Sequence, residues 1–322
     1  KARYGEDIPA READTLAYRR WLALRHEALG KLFGHWSAKL RAERPGVYTC
    51  SVFMQPVDKS HLYEQGVPFD VLGALGGIEH MGSDYMDPYG IRSLVAANGW
   101  RKATQLFSGN MYSNFTEPAV NLYGPALWML MHGGGSCSYW RYYQIKLFNN
   151  TDAVKHGYAM ADDLMALGAW DARPPQQIAV LSSRASTDWW QVKAFHGTLP
   201  QPNADRGIEG RHGWFHDEWV VDRLLLRNGY PFEWKYLDWP DKLGDLSQHK
   251  VILLPFAYSI SDAAAAQVRD AVAKGSKLIL FGKTGETDEW GEPRKAPAFQ
   301  DLVESGKATL VRDDLYAVGG ED

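Results

Sequence analysis

Three polar clusters in the first half of the chain carry side chains suited to a polyhydroxylated ligand. They are Asp84, Tyr85 and Asp87 in GSDYMDPYG, Ser108, Asn110 and Glu117 in SGNMYSNFTEP, and Tyr139, Trp140 and Arg141 in SYWRYY, with His156 further on. Carboxylates and an imidazole hydrogen-bond hydroxyls, while a flat aromatic ring covers the apolar face of a sugar ring. The same residue types also cap turns and helices, so a site requires that they converge. Other signals fail on spacing. The GKT at Gly282–Thr284 follows a strand, but a phosphate loop needs a glycine where Lys277 stands. In GSCSY the glycine needed two residues after Cys137 is Tyr139, which reads as a structural thiol. His212 and His216 beside Asp217 have helical metal spacing, but Gly213 and the loop composition oppose it. No metal and no cofactor is called for.

These clusters are expected to be positioned by alternating elements. Apolar residues at helical spacing predict a long helix from Ala13 to Glu43, stopped by Pro45 and Gly46. There follow a strand Val47–Met54, a short helix Phe69–Gly76, a strand Ile78–Asp84, a helix Ile91–Asn98 and a strand Ala103–Phe107. A helix from Pro118 to Met131, a strand Ser136–Tyr142, a loop LFNNTDAVKHG and a helix Tyr158–Leu167 complete this half. Units of about 30 residues that alternate strand and helix call for a parallel sheet with right-handed crossovers. Each cluster then falls at the carboxyl end of a strand, where enzymes built on parallel barrels place their sites.

After ARPPQQ a second pattern begins. It has strands Ile178–Ser182, Phe232–Leu237, Val251–Phe256 and KLILFG, a helix Asp217–Arg227, and a helix Ser261–Lys274 capped by Ser261. That is an open, doubly wound α/β sheet. Thr198–His212, rich in Pro, Gly and Asn, reads as an exposed insertion. Two domains are expected, 1–172 and 173–322. With 45% hydrophobic and 23% charged residues, the composition is that of a globular chain. The 39 acidic against 35 basic side chains, without a basic stripe, argue against nucleic acid. No apolar run is long enough for a membrane span. Cys50 and Cys137 lack zinc spacing. The compartment stays open between bacterial cytoplasm and periplasm.

The order of LAYRRWLALRHEALGKLFGHWSAKLRAERPGVYTCSVFM, SDYMDPYG, a strand with SG, ALWMLMHGGGSCSYWRYY and KHG resembles the trimeric family 42 β-galactosidases, read from after the fourth barrel strand. The segment from IAVLSSR to KVILLPFAYSISDAAAAQVRDAVAKGSKLILFG is similar to that family's amidotransferase-like trimerisation domain. The resemblance spans nearly the whole chain through motifs that are individually loose. It implies the C-terminal part of a (β/α)8 TIM barrel followed by a flavodoxin-like, amidotransferase-like open parallel-sheet domain. It also implies hydrolysis of a galactoside-like substrate and assembly as a homotrimer. Asp84 and Tyr85 would stand on the rim after strand six. Trp140 and Arg141 would match the tryptophan and arginine that end strand eight, and His156 would match a sugar-contacting histidine in the loop beyond.

Two departures matter. Retaining glycosidases use two carboxyl groups about 5 to 5.5 Å apart, one as nucleophile and one as acid/base. In the family the acid/base ends strand four, ahead of the first residue here. The position of the nucleophile on strand seven reads KATQLFSGN, with Gln105 nearest, and an amide cannot take that role. Either another carboxylate serves, with Glu79, Asp84, Asp87 and Glu117 as candidates, or the chain binds sugar without hydrolysing it. The alternative function is accordingly a non-catalytic carbohydrate-binding or assembly protein of the same fold.

Overall fold

The computed structural model describes residues 16–53, 69–83, 88–108, 130–140, 151–173, 175, 177–188 and 214–311. They divide into two compact units, residues 29–174 and residues 1–28 with 175–322.

The first unit holds a parallel sheet in chain order β1-β2-β3-β4, formed by Cys50–Phe53, His80–Ser83, Ala103–Ser108 and Ser136–Trp140. Helix α1, Leu16–Glu43, which belongs to this unit from Leu29 onward, leads into β1, α2, Phe69–Leu75, into β2, and α3, Pro88–Asn98, into β3. Helix α4, Thr151–Ala166, follows β4. Such strict alternation leaves strands with no hairpin partner, so each must pair with the next through a crossover helix. Val71, Leu72, Ile78, Met81 and Leu94 are buried, and α3 packs against α2 and against the strands β2 and β3. The helices approach closely because of glycine: a Cβ on Gly73 would lie 1.9 Å from the Ala97 carbonyl oxygen. The expected helix Pro118–Met131 lies outside the described residues except for helical positions at Leu130 and Met131.

One boundary is corrected. The loop expected through His156 and Gly157 is helical, because α4 starts at Thr151 and runs through both. A glycine inside a helix costs about 1 kcal/mol relative to alanine, which the rest of a 16-residue helix outweighs.

The second unit contains a five-stranded parallel sheet in the order β6-β5-β7-β8-β9. Its strands are Ile178–Ser182 (β5), Phe232–Tyr236 (β6), Val251–Phe256 (β7), Lys277–Phe281 (β8) and Ala308–Val311 (β9). The helices are α5, Trp214–Arg227, the short α6, Pro240–Leu243, α7, Asp262–Ala273, and α8, Gln300–Glu304. Ala179, Leu181, Ile252, Leu254, Val268 and Leu280 belong to one buried cluster. Near-continuous apolar strands such as VILLPF are what a parallel sheet covered on both faces requires. The Ser261 side chain accepts a hydrogen bond from the Ala264 N–H and so caps α7. The expected insertion Thr198–His212 lies outside the described residues.

Candidate functional site

The first sheet presents its carboxyl end as a row of backbone positions. Phe53 lies beside Ser83, Ser83 beside Gln105, and Gln105 beside Cys137. β1 and β2 end at this row, whereas β3 continues to Ser108 and β4 to Trp140, which pair with each other. Gln105 is thus internal to β3 rather than its last residue. Tyr139 and Trp140 close β4 at the carboxyl end. His156 sits on α4, not on a connecting loop. Asp84, Tyr85, Asp87, Asn110, Glu117 and Arg141 lie outside the described residues.

Glu79 stands at the other end. It precedes β2, and its Oε2 accepts the Thr49 N–H at 3.0 Å, just ahead of β1. The length of β2, roughly 13 Å at about 3.3 Å per residue, separates it from the carboxyl rim. The structure therefore does not bring Glu79 together with Gln105 and Trp140, and it gives this carboxylate a structural task at the amino end.

That amino end is densely tied. Arg101, left-handed with φ 66°, donates through its guanidinium to the carbonyls of Leu130, Gly134, Ala169 and Trp170 at 2.6 to 2.9 Å. It lies over the rings of Trp100 and Trp170 at 5.0 and 5.2 Å. Nearby in sequence, His132 Nδ1 is 3.1 Å from Arg92 Nη1. A guanidinium only donates, so Nδ1 accepts and carries no proton. Burial first, and the Arg92 charge second, push the His132 imidazole down to about 3. None of these roles was legible in the sequence, since each depends on partners brought together by the fold.

In open α/β sheets ligands bind outside the carboxyl ends of the strands, where the strand order reverses, here between β5 and β7. That crevice is lined by hydroxyls that satisfy one another. Ser183 Oγ donates to the Ser259 carbonyl at 2.7 Å, Ser186 Oγ accepts the Ser259 N–H at 2.8 Å, and Ser259 Oγ meets Thr287 Oγ1 at 2.7 Å. Asp238 accepts the N–H groups of Arg184 and Ala185 at 2.6 and 2.9 Å, which occupies the start of the helical turn 184–188 with the protein's own carboxylate. Ser182 donates to Glu218 at 2.6 Å, and both are buried. A burial site filled this way suits a framework better than a ligand. At the GKT sequence, Thr284 Oγ1 donates to the Phe281 carbonyl at 2.9 Å. Among the described residues no group of three or more His, Cys, Asp or Glu could hold a metal, and no helix is long and apolar enough to cross a membrane.

The two sheets define an α/β protein, with a five-stranded parallel sheet, that resembles part of the family 42 glycoside hydrolase β-galactosidase structures. The exo-carrageenase of that family from Bacteroides ovatus superposes with a TM-score of 0.65 at 12% identity, over 94% of this chain and 43% of its own. The β-galactosidase from Bacillus circulans sp. alkalophilus gives 0.64 at 12%, over 92% and 45%. That of Rahnella sp. R3 gives 0.64 at 14%, over 92% and 46%. The likeness is one of fold, and the chain spans less than half the length of these structures. No family model matches the chain, and no curated protein matches it in sequence.

Proposed function

We propose that residues 1–172 form the C-terminal part of a (β/α)8 barrel whose carboxyl rim takes a galactoside-like sugar. Residues 173–322 form a flavodoxin-like, amidotransferase-like domain that assembles the protein as a homotrimer. The polypeptide to which this chain belongs hydrolyses β-glycosidic bonds, with Trp140 as the platform under the sugar ring, Asp84, Tyr85, Tyr139 and Arg141 as its polar and aromatic surround, and His156 as a further contact from α4. The observation that supports this reading is the fold likeness over 94% of the chain to a glycoside hydrolase, with Trp140 at the carboxyl end of its strand. The strand order β6-β5-β7-β8-β9 and the self-satisfied hydroxyls between β5 and β7 support a scaffolding role for the second domain.

A second reading, sugar binding without hydrolysis, is favoured by one residue. Gln105 occupies the strand on which the nucleophile is expected, and an amide neither attacks an anomeric carbon nor departs as a carboxylate. A panel of nitrophenyl glycosides, assayed with the complete polypeptide, separates the readings when paired with calorimetry. Turnover establishes the first, heat of binding without product establishes the second, and neither signal on any galactoside removes the sugar function altogether.

A further inference from the structure

The buried residues of α1 form one stripe that changes character along the helix. Tyr18, Leu22, His26 and Gly30 recur every four residues, so they share a face. From Gly30 onward α1 is pressed on α2: a Cβ at Gly34 would overlap the Leu75 carbonyl oxygen, and Arg41 donates to the Gly77 carbonyl at 2.7 Å. Upstream, residues as far as Ala28 belong with the second unit, and there the stripe consists of large side chains and an imidazole.

The second unit receives this half of α1 on a loop that keeps its own shape. Asp288 accepts the N–H groups of Trp290 and Glu292 at 2.9 and 2.8 Å, and Arg294 donates to the Ile260 carbonyl at 2.6 Å. Arg19 Nη1 donates to the Trp290 carbonyl at 3.0 Å, and the Arg20 guanidinium lies 6.0 Å from the centre of the Trp290 ring. Gly291, with φ 81°, makes room for this contact, since a Cβ there would overlap Arg19 Nη1. Tyr18 and Leu22 are buried beside it, with Trp21 packed against them.

His26 is the buried imidazole of this half, with 0% of its surface exposed. The charged groups that act on it are Arg184, on the turn after β5, and Arg25, its neighbour on α1. Arg184 is itself paired with Asp188 at 2.9 Å. Burial first, then the Arg184 charge, then that of Arg25, hold the imidazole well below its ordinary value. A proton on the ring adds a third cation beside two arginines where water is excluded, and the ring accommodates it only by reaching solvent.

We infer that the first half of α1 is an acid-sensitive latch on the second unit: it stays seated against the Trp290 loop while His26 is neutral and lifts away when the ring takes a proton. The second half, held on α2 through Gly30 and Gly34, stays in place. Below pH about 6.5 the lifted state binds a proton that the seated state refuses, so lifting becomes about tenfold easier with each further unit of acid. The latch is therefore complete above that pH and is lost as pH falls.

Amide hydrogen exchange on this whole chain, read by mass spectrometry at pH 7 and pH 5 and corrected for the intrinsic rate, tests the latch. Protection over residues 18–26 should fall about 25-fold between the two, while residues 30–41 and the strands Val251–Phe256 and Lys277–Phe281 keep theirs. In His26→Gln, protection over residues 18–26 should be the same at both pH values. No loss in the wild type, an equal loss in the variant, or a loss shared by the two strands overturns the inference. Should the variant fail to fold, exchange of the imidazole C2 hydrogen in the wild type decides. A His26 that titrates near 6.5 with residues 18–26 still protected overturns the latch, whereas titration in step with the loss of protection upholds it.

Discussion

Acidification tests the His132–Arg92 contact directly. His132 is held neutral because its ring is largely buried and because the Arg92 guanidinium donates to Nδ1, so its folded value falls to about 3 from an unfolded value near 6.5. The sign follows from proton counting. Below pH about 6.5 the unfolded chain takes up a proton that the folded chain refuses, so the contribution is complete above that pH and is lost as pH falls toward 3. Each unit of pH in that window is worth about 1.4 kcal/mol, and with a discount for the partly exposed ring the loss between pH 7 and pH 5 is about 1 to 2 kcal/mol. The replacement His132→Gln keeps an acceptor for Arg92 and removes the titration. Urea unfolding followed by tryptophan fluorescence at pH 7, 6 and 5 should show the wild type losing that amount relative to the variant. The second unit, with its own buried His26, is common to both proteins and cancels in the difference. A difference that stays constant within about 0.3 kcal/mol across the series would refute the assignment of a neutral, accepting His132.

Three further outcomes are expected. Gly73→Ala forces α2 and α3 apart, since the new Cβ meets the Ala97 carbonyl at 1.9 Å, and should lower stability by about 2 to 3 kcal/mol in a thermal melt. Asp238→Ala leaves the Arg184 and Ala185 N–H groups without their cap and should cost about 1 to 2 kcal/mol, while Asp238→Asn recovers part of it. In the complete polypeptide, Gln105→Glu should raise galactoside hydrolysis where a partner carboxyl is present, and Trp140→Ala should weaken galactoside binding by about fivefold or more, as read by calorimetry.

The second sheet was the more readable half, for a physical reason. Parallel strands covered on both faces are continuous apolar runs, and Ile178–Ser182 and Val251–Phe256 were bounded correctly by that pattern alone. Ser261 was legible as a cap because capping is a local event. β9 is not legible in the sequence: Ala308–Val311 is only four residues long, and its strand character comes from pairing with β8. In the first half, Gly157 misled because glycine marks helix ends more often than helix interiors, yet α4 passes through it. Glu79 was a candidate by residue type, and only the register shows that it serves the amino end, against Thr49. The Trp140 position at the end of β4 was foreseeable from strand polarity. The interior place of Gln105 in β3 was legible, because the expected strand Ala103–Phe107 already enclosed it.

The guanidinium of Arg101 has a bearing on how the protein is made. Its acceptors include the carbonyls of Ala169 and Trp170, nearly seventy positions later in the chain. A ribosome adds about 5 to 20 residues each second, so for several seconds the nascent first unit holds this arginine with only its Leu130 and Gly134 acceptors synthesised. Completion of the unit is thereby deferred to the arrival of its final segment. A premature stop anywhere before that segment should yield a species that chaperones retain rather than one that matures on its own.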